Sequence, residues 1–396
     1  MPASRDWVGT EATIAALLKT RSPARAQLLA SLADYAAAAT GEARRLGALP
    51  PGDADYAAAL EWLLRPVFIC GHQRSGTTLL QNLLDDHPQV LTLPSEGTYF
   101  TSFGYVARTS PSAQAMDRFA ADWIARFVDP NFEPHFRLGR ATADGCPAVD
   151  FARALFGWHA ALRPRVPPRL ASLLALAAAF RATTVPHRTP LLWVEKTPRN
   201  ERYVARFATL AHARFVHVVR DPRATLASLR ELYAATGIAF DVAEHARAIG
   251  HSLHLAYANS HRLGTRYLVV RYEDLVCDPA QHMERVRRFL DIAADPTLLA
   301  PTAAGRPARA NSSFAPGNTP GVVERGRRAA VLSAAELVSL GAHTASAARR
   351  LGYDVPIPSN TDRWATRLQE WPRHALRRSR AAVRAVARPL RDAMRR

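Results

Sequence analysis

One stretch, Pro66 to Leu84, constrains this chain more than any other. It begins with the apolar run Val67–Cys70, which predicts a buried strand, and it ends with leucines at helical spacing. Between them, the loop Gly71–Thr78 has the glycine spacing of a Walker A phosphate loop, but Thr77 replaces the lysine after the second glycine. A strand, a glycine turn and a helix together point backbone N–H groups at an anion. The stretch therefore predicts a phosphate-type site that differs from an ordinary ATP or GTP site.

Four apolar runs have the length and composition of buried strands. They are Val67–Cys70, Leu191–Val194, Phe215–Val219 and Tyr267–Val270. Helical patterns follow the first three, over Thr77–Leu84, Glu201–Leu210 and Ala224–Tyr233. Strands that alternate with helices predict an α/β fold, with a parallel β-sheet covered by helices on both faces. Ligands of such sheets bind beyond the carboxyl ends of the strands, where the polar motifs of this chain fall.

Changes in composition divide the chain into a central domain and two flanking segments. Residues 1–64 are alanine-rich with helical spacing, and we interpret them as a helical N-terminal extension. The central domain covers residues 65–355. Within it, residues 97–190 hold 13 of the 32 aromatic residues of the chain. This density predicts a largely helical insertion that forms an aromatic core, an acceptor-binding lid, or both.

Residues 356–396 are a basic C-terminal tail that carries much of the formal net charge of +18. Its arginines recur every three or four residues beside an apolar face. Two interpretations stay open: a helix attracted to anionic membrane lipid, and a solvated helix in an arginine-rich protein. No recognised module accompanies the charge, so the sequence does not favour specific nucleic-acid binding.

Cysteine usage and hydropathy favour a cytoplasmic protein. The three cysteines are far apart in sequence, which argues against a disulfide framework and against a structural zinc site. The chain contains no run of about 18 apolar residues that would predict a membrane-spanning helix. The first residues lack the layout of a signal peptide. We therefore expect a reducing, cytoplasmic setting, with peripheral membrane association through the tail as the alternative.

A second motif begins at the third predicted strand. That strand delivers Arg220 at its carboxyl end, and Asp221 and Pro222 are typical of a helix N-cap and first helical position. Ser228 lies two helical turns further on. Taken singly, Arg220 fits a strand-end ion pair and Ser228 a small packing residue. Together, beside a phosphate loop, they favour binding of a second phosphate, for which arginine supplies charge and fork geometry.

The two motifs together resemble those of the sulfotransferase superfamily that uses 3′-phosphoadenosine 5′-phosphosulfate (PAPS). In that family a loop of the form R-S-G-T-T binds the 5′-phosphosulfate, and a strand-end arginine with a serine eight residues later binds the 3′-phosphate. The resemblance covers roughly residues 65–353, is strongest to the bacterial and tyrosylprotein branch, and implies a P-loop NTPase-like fold. The residues that it assigns to the cofactor here are Arg74, Ser75, Gly76, Thr77, Thr78, Arg220 and Ser228.

Three further segments resemble the family. Lys196, one of two lysines in the chain, lies in a K-T-P element, which implies a position by the transferring sulfuryl group. Tyr272 lies in an R-Y-E-D-L segment that the family places near the nucleotide, although a strand-end cluster of ion pairs explains this segment equally well. Arg325 and Arg327 belong to a late loop implied to close over the nucleotide, where R-G-R stands in place of the family's frequent R-W-R.

Glu96 is the predicted general base. It lies 22 residues past Arg74, after an H-P-x-V segment similar to the one that precedes the base in glutamate-dependent members of the superfamily. A carboxylate beside the sulfuryl group accepts the proton of the acceptor as attack proceeds. His72 and His87 are the alternatives that the sequence leaves open.

The resemblance thus implies an enzyme that moves the sulfuryl group of PAPS to a hydroxyl or amine by in-line displacement. Arg74 and Lys196 would stabilise the charge, without a metal ion. The acceptor is a carbohydrate, lipid, peptide or small metabolite that the sequence does not identify, and the oligomeric state is equally open. Two other classes remain as alternatives: a nucleotide kinase or NTPase, and a non-catalytic protein that binds anionic lipid.

Overall fold

A computed structural model of the 396-residue chain supplies the structure. It describes residues 23–93, 96–128, 147–236, 239–303, 305–308, 332–359 and 361. Arg325 and Arg327, the first 22 residues and nearly all of the basic tail lie outside the described residues. Among the helices that are described, none combines the length and the apolar character needed to cross a membrane.

A five-stranded sheet forms the centre of the fold. Its strands in chain order are β1 (Pro66–Cys70), β2 (Val90–Thr92), β3 (Leu192–Lys196), β4 (Arg214–Val219) and β5 (Tyr267–Arg271). The spatial order is β2-β3-β1-β4-β5, and β1 pairs in parallel with both β3 and β4. The predicted parallel α/β fold is confirmed. The sequence does not predict β2, because three residues are too short to show a strand pattern.

Helices of the part of the chain that contains the sheet pack on both of its faces. In chain order the described helices are α1 (Pro23–Leu46), α2 (Asp53–Leu63), α3 (Thr77–Leu84), α4 (Ala113–Val128), α5 (Pro147–Leu162), α6 (Ala171–Thr184), α7 (Val204–Phe207), α8 (Pro222–Thr236), α9 (Val242–Leu263), α10 (Tyr272–Cys277), α11 (Pro279–Leu290) and α12 (Ala334–Arg350). A small antiparallel pair, β6 (Thr302–Ala303) and β7 (Arg306–Pro307), follows α11. The helix predicted over residues 201–210 is shorter than expected, since a 3₁₀ turn at Asn200–Arg202 precedes α7.

The described residues fall into two compact units. One holds the residues within 1–71, 76–218 and 263–324, and therefore contains the sheet. The other holds those within 72–75, 219–262 and 325–396, and is built on α8, α9 and α12.

Alternate residues of β1 enter two different apolar clusters of the first unit. Phe68 packs into a cluster that also contains the aromatic residues of α4 and α5, whereas Ile69 packs into one with α3 and α11. Both faces of the strand are therefore buried, which explains why the parallel strands read as continuous apolar runs. The helices of residues 97–190 share the buried cluster of one sheet face instead of enclosing a separate core.

Two helical glycines of the first unit provide a test of this packing. A Cβ atom at Gly157 in α5 would lie 2.0 Å from the carbonyl oxygen of Leu49, whereas nothing lies within 4 Å of one at Gly41 in α1. We expect Gly157→Ala to lower the free energy of unfolding by about 1–3 kcal/mol through overpacking. Gly41→Ala should raise it by about 0.5–1 kcal/mol, because alanine has the higher helix propensity. Urea unfolding measures both, and effects of the same sign would contradict the close approach at Gly157.

Candidate active site

The loop after β1 reaches α3 through a glycine that no other residue replaces without strain. Gly76 precedes the first residue of α3 and has a φ of 100°, in the left-handed region that favours glycine. A Cβ atom there would lie 2.3 Å from Cδ2 of Tyr272, the first residue of α10. The structure therefore brings the predicted residues Gly76 and Tyr272 into contact. Thr77, the residue in place of the Walker lysine, is buried.

The start of the same loop is held by the segment that follows β3. The backbone N–H of Gly71 donates to the buried carboxylate of Glu201 at 3.0 Å, and its carbonyl accepts from the N–H of Arg199 at 2.9 Å. Arg199 has a φ of 74°, a strained conformation for a residue with a side chain. Its Nε is buried, without a hydrogen-bond partner among the described residues. Arg199 directly follows the K-T-P element of Lys196, and no sequence pattern indicates a role for it.

Lys196 and Glu96 form an ion pair at the carboxyl end of β3. The Lys196 Nζ lies 2.9 Å from Oε1 of Glu96. The lysine side chain is 7% exposed and that of the glutamate 42%. The pair thus joins a buried cation to a carboxylate that remains open to a reacting molecule. Because Lys196 is the last residue of β3, the sheet itself fixes the position of its backbone.

Arg126, on α4, holds the backbone on which Glu96 lies. Its Nη1 donates to the carbonyl oxygen of Glu96 at 2.8 Å, and its Nη2 donates to Oγ1 of Thr98 at 3.2 Å. The guanidinium lies over the rings of Phe103 and Trp123, 4.6 and 5.2 Å from their centroids. The aromatic insertion therefore supports the segment that carries the predicted base. No sequence pattern pointed to Arg126, since its contacts are with backbone about 30 residues away.

In the second unit, three predicted cofactor residues lie together. Arg74 donates from Nε to the hydroxyl oxygen of Ser228 at 2.9 Å, and Arg220 donates from Nη1 to the carbonyl oxygen of Arg74 at 3.0 Å. Arg74 has a φ of 69°, so the loop backbone is strained at this residue. The family resemblance implies that Arg74 contacts the sulfuryl group and Ser228 the 3′-phosphate, whereas in the structure their side chains are hydrogen-bonded to each other.

Hydrogen bonds between residues close in sequence fix the backbone around Arg74 and Arg220. Asp221 accepts from the N–H of Arg223 at 2.8 Å and so caps α8, which begins at Pro222 as predicted. Within the loop, both the N–H and the hydroxyl of Ser75 donate to the carbonyl oxygen of His72, at 3.1 and 2.7 Å. This turn gives the loop its shape.

The two alternative bases differ from Glu96 in their surroundings. His87 is buried, its Nδ1 accepts from the N–H of Gln89 at 3.2 Å, and its Nε2 lies 3.0 Å from the carbonyl oxygen of Ala293. Both ring nitrogens of His87 are therefore engaged by backbone. His72 is also buried, with Nδ1 at 2.9 Å from the carbonyl oxygen of Gln73. Of the three candidates, Glu96 has the exposed acceptor atoms.

Two further findings complete the site. Arg271 lies 3.9 Å from Asp274, so the segment around Tyr272 contains the ion pair that the sequence left open. Across the part of the chain that the structure describes, no group of three or more His, Cys, Asp or Glu side chains is arranged to hold a metal ion.

The chain was compared with models of known protein families. The family model that is described as the sulfotransferase family matches residues 66–296, which is more than half of the chain. The chain belongs to the sulfotransferase family. The matched region of this sulfotransferase includes the loop, Glu96, Lys196, Arg220, Ser228 and Tyr272. No curated protein matches the sequence.

Among solved structures, this sulfotransferase is similar to other sulfotransferases at low identity. The sulfotransferase domain from the Synechococcus PCC 7002 olefin synthase is 22% identical, with 74% of this chain and 96% of that chain covered and a TM-score of 0.42. Sulfotransferase STF9 from Mycobacterium avium is 18% identical, with 73% and 79% covered and a TM-score of 0.38. The sulfotransferase domain from the curacin biosynthetic pathway is 18% identical, with 76% and 96% covered and a TM-score of 0.37.

The contact between Gly76 and Tyr272 yields a double-variant prediction. We expect Gly76→Ala to lower the free energy of unfolding by about 2–4 kcal/mol, because a clash with the ring adds to backbone strain. In a Tyr272→Ala background the same change should cost about 1–2 kcal/mol, since the backbone strain remains. Urea unfolding of the four proteins measures the difference. An equal cost in both backgrounds would show that the ring does not crowd Gly76.

Proposed function

We propose that this sulfotransferase moves the sulfuryl group of PAPS to a hydroxyl or amine of an acceptor by in-line displacement. The observation that carries the proposal is the ion pair of Lys196 and Glu96, 2.9 Å apart at the end of β3. A buried cation beside an exposed carboxylate supplies both needs of the reaction: charge stabilisation and proton removal.

The proposed step balances as a single displacement. An oxygen or nitrogen of the acceptor attacks sulfur, and the bond from sulfur to the 5′-phosphate oxygen breaks, which leaves 3′,5′-adenosine bisphosphate (PAP). The proton of the acceptor passes to the carboxylate of Glu96. Lys196 stabilises the negative charge on the sulfuryl and leaving-phosphate oxygens as it spreads during transfer.

The cofactor contacts in this proposal come from the family resemblance. The loop residues Ser75 to Thr78 bind the 5′-phosphosulfate with their N–H and hydroxyl groups, with Arg74 as the loop cation. Arg220 and Ser228 bind the 3′-phosphate. The resemblance assigns Tyr272, which contacts Gly76, to a place by the nucleotide, and Arg325 and Arg327 to the loop that closes over the nucleotide. The resemblance calls for no metal ion.

The proposal assigns the chemistry to residues 65–355 and the acceptor side to the insertion 97–190. Residues 1–64 and 356–396 flank this domain. The support of Glu96 by Arg126, which belongs to the insertion, favours this assignment of the acceptor side. The acceptor itself is a carbohydrate, lipid, peptide or small metabolite. A cytoplasmic location and contact of the tail with anionic membrane remain predictions from the sequence.

Binding of PAP tests the cofactor. Saturation at 100 times its dissociation constant should stabilise the folded protein by about 2.7 kcal/mol, visible as a rise in melting temperature. Arg220→Ala should abolish most of the shift. Arg223→Ala is the matched control, because this neighbouring guanidinium pairs with Asp221, at 2.7 Å, and has no proposed cofactor contact. A shift with magnesium-ATP and none with PAP would favour the nucleotide kinase alternative.

Labelled PAPS tests the reaction and the base together. We expect cell extract incubated with the protein and labelled PAPS to contain a sulfated acceptor, which mass spectrometry identifies. With that acceptor, Glu96→Gln should lower kcat by about 10²–10⁴, the usual contribution of a general base, while the PAP-induced melting shift stays. His87→Gln is the comparison variant. Loss of turnover in His87→Gln with normal turnover in Glu96→Gln would assign the base to the histidine.

A further inference from the structure

We propose that Glu195 is a positioning residue, which holds the Glu96 backbone so that its carboxylate meets Lys196. This inference rests on the proposed function. Glu195 immediately precedes Lys196 in β3, and it is 1% exposed. The sequence indicates no role for Glu195, since a single carboxylate in an apolar strand gives no indication of its partner.

The Glu195 carboxylate accepts hydrogen bonds at both oxygens. Its Oε1 accepts from the backbone N–H of Gly97 at 2.7 Å and from the hydroxyl of Thr197. Its Oε2 accepts from the side-chain amide of Asn200 at 2.5 Å. The hydroxyl oxygen of Thr197 in turn accepts from the N–H of Thr98 at 2.8 Å. Glu195 and Thr197 therefore bind the two consecutive N–H groups that follow Glu96.

These bonds fix the Glu96 backbone from one side while Arg126 fixes it from the other. Arg126 binds the carbonyl oxygen of Glu96, so three adjacent backbone polar groups are held by side chains of β3, of the segment that follows it and of α4. The approach is close: a Cβ atom on Gly97 would lie 2.4 Å from Oε1 of Glu195. Thr98 has a φ of 41°, a conformation that surrounding contacts must maintain.

Burial makes this arrangement costly for the fold, which favours a role beyond packing. Desolvation raises the pKa of the Glu195 carboxyl, and the hydrogen bonds from Thr197, Asn200 and Gly97 oppose that rise. An apolar residue in β3 would avoid the desolvation of a carboxylate. What the carboxylate adds is acceptors at both oxygens, which tie three donors to one point beside the Lys196–Glu96 pair.

Glu195→Gln tests the inference with a change of one heavy atom. Glutamine replaces one acceptor oxygen with an NH₂ donor, so either Asn200 or the pair of Gly97 and Thr197 loses its acceptor. We expect kcat with the acceptor found in the extract assay to fall about 10–100-fold through misplacement of Glu96. The KM for PAPS and the PAP-induced melting shift should stay within about twofold of the wild-type values. The reason is that the variant loses contacts made in the transition state and keeps those that bind the cofactor.

Asp85→Asn is the matched control. Asp85 is a partly buried carboxylate that also accepts from a backbone N–H, that of Gly305 at 2.9 Å, and from a threonine hydroxyl, that of Thr302 at 3.1 Å. Burial raises its pKa as well. Asp85→Asn should therefore lower the melting temperature without lowering kcat. An equal fall of kcat in both variants would reduce Glu195 to a structural residue.

A second readout needs no acceptor, because the chain has two lysines, Lys19 and Lys196. Reductive methylation followed by mass spectrometry gives the labelling of Lys196 relative to Lys19. We expect slow labelling of Lys196 in the wild-type protein and an increase of several-fold in Glu195→Gln and Glu96→Gln, since both release the amine from its carboxylate partner. Asp85→Asn should leave the ratio unchanged.

Milder variants at Thr197 keep the test decisive if Glu195→Gln does not fold. Thr197→Val removes the hydroxyl at nearly constant volume and should raise Lys196 labelling, whereas Thr197→Ser should restore the wild-type value. Wild-type labelling in both Glu195→Gln and Thr197→Val would overturn the positioning role. Absence of any sulfuryl transfer from PAPS by the wild-type protein would overturn the proposed function instead, and the labelling ratio would still support or overturn the fixed Lys196–Glu96 geometry.

Discussion

The parallel pairing of β1 with β3 on one side and β4 on the other is the constraint on which the first unit depends. In register, Ile69 of β1 lies opposite Lys196 of β3 and Val216 of β4. Parallel strands place their carboxyl ends at one edge of a sheet. The segments that leave β1 and β3 therefore emerge at the same edge, and the burial of β1 on both faces holds that edge in place.

The segments that leave the strands take no part in the hydrogen bonds of the sheet. Buried carboxylates connect these segments instead. Glu201 accepts from the N–H of Gly71 after β1, and Glu195 accepts from the N–H of Gly97 after β2. Both carboxylates belong to β3 or to the residues just after it. Carboxylates suit this task because each offers two oxygens to N–H donors, in bonds stronger than those between neutral groups. Hydrogen bonds at the end of β3 thus join the segments that follow β1, β2 and β3.

Sequence patterns predicted the parts of this architecture that depend on local periodicity. The helix Thr77–Leu84 has the predicted bounds, and strands alternate with helices along the chain as expected. The family resemblance is also confirmed. The pairing of Lys196 with Glu96 joins residues that the sequence had singled out separately. Arg126, Glu195 and Arg199 had no such signal. Each makes a hydrogen bond with a backbone group that lies 30 to 128 residues away in sequence, and neither periodicity nor a short motif records contacts of that kind.

The absence of the Walker lysine from the loop is best considered together with the position of Lys196. In this chain the residue after the second loop glycine is the buried Thr77, and a buried lysine, Lys196, lies at the end of the neighbouring strand β3. A lysine at the end of β3 lies 2.9 Å from Glu96 on a segment that Glu195 and Arg126 hold. In sulfuryl transfer the acceptor loses a proton close to where negative charge spreads, so a cation and a proton acceptor are needed side by side. In the proposed reaction Lys196 and Glu96 meet both needs from the end of β3 and the segment after β2, and Arg74 remains the cation of the loop itself.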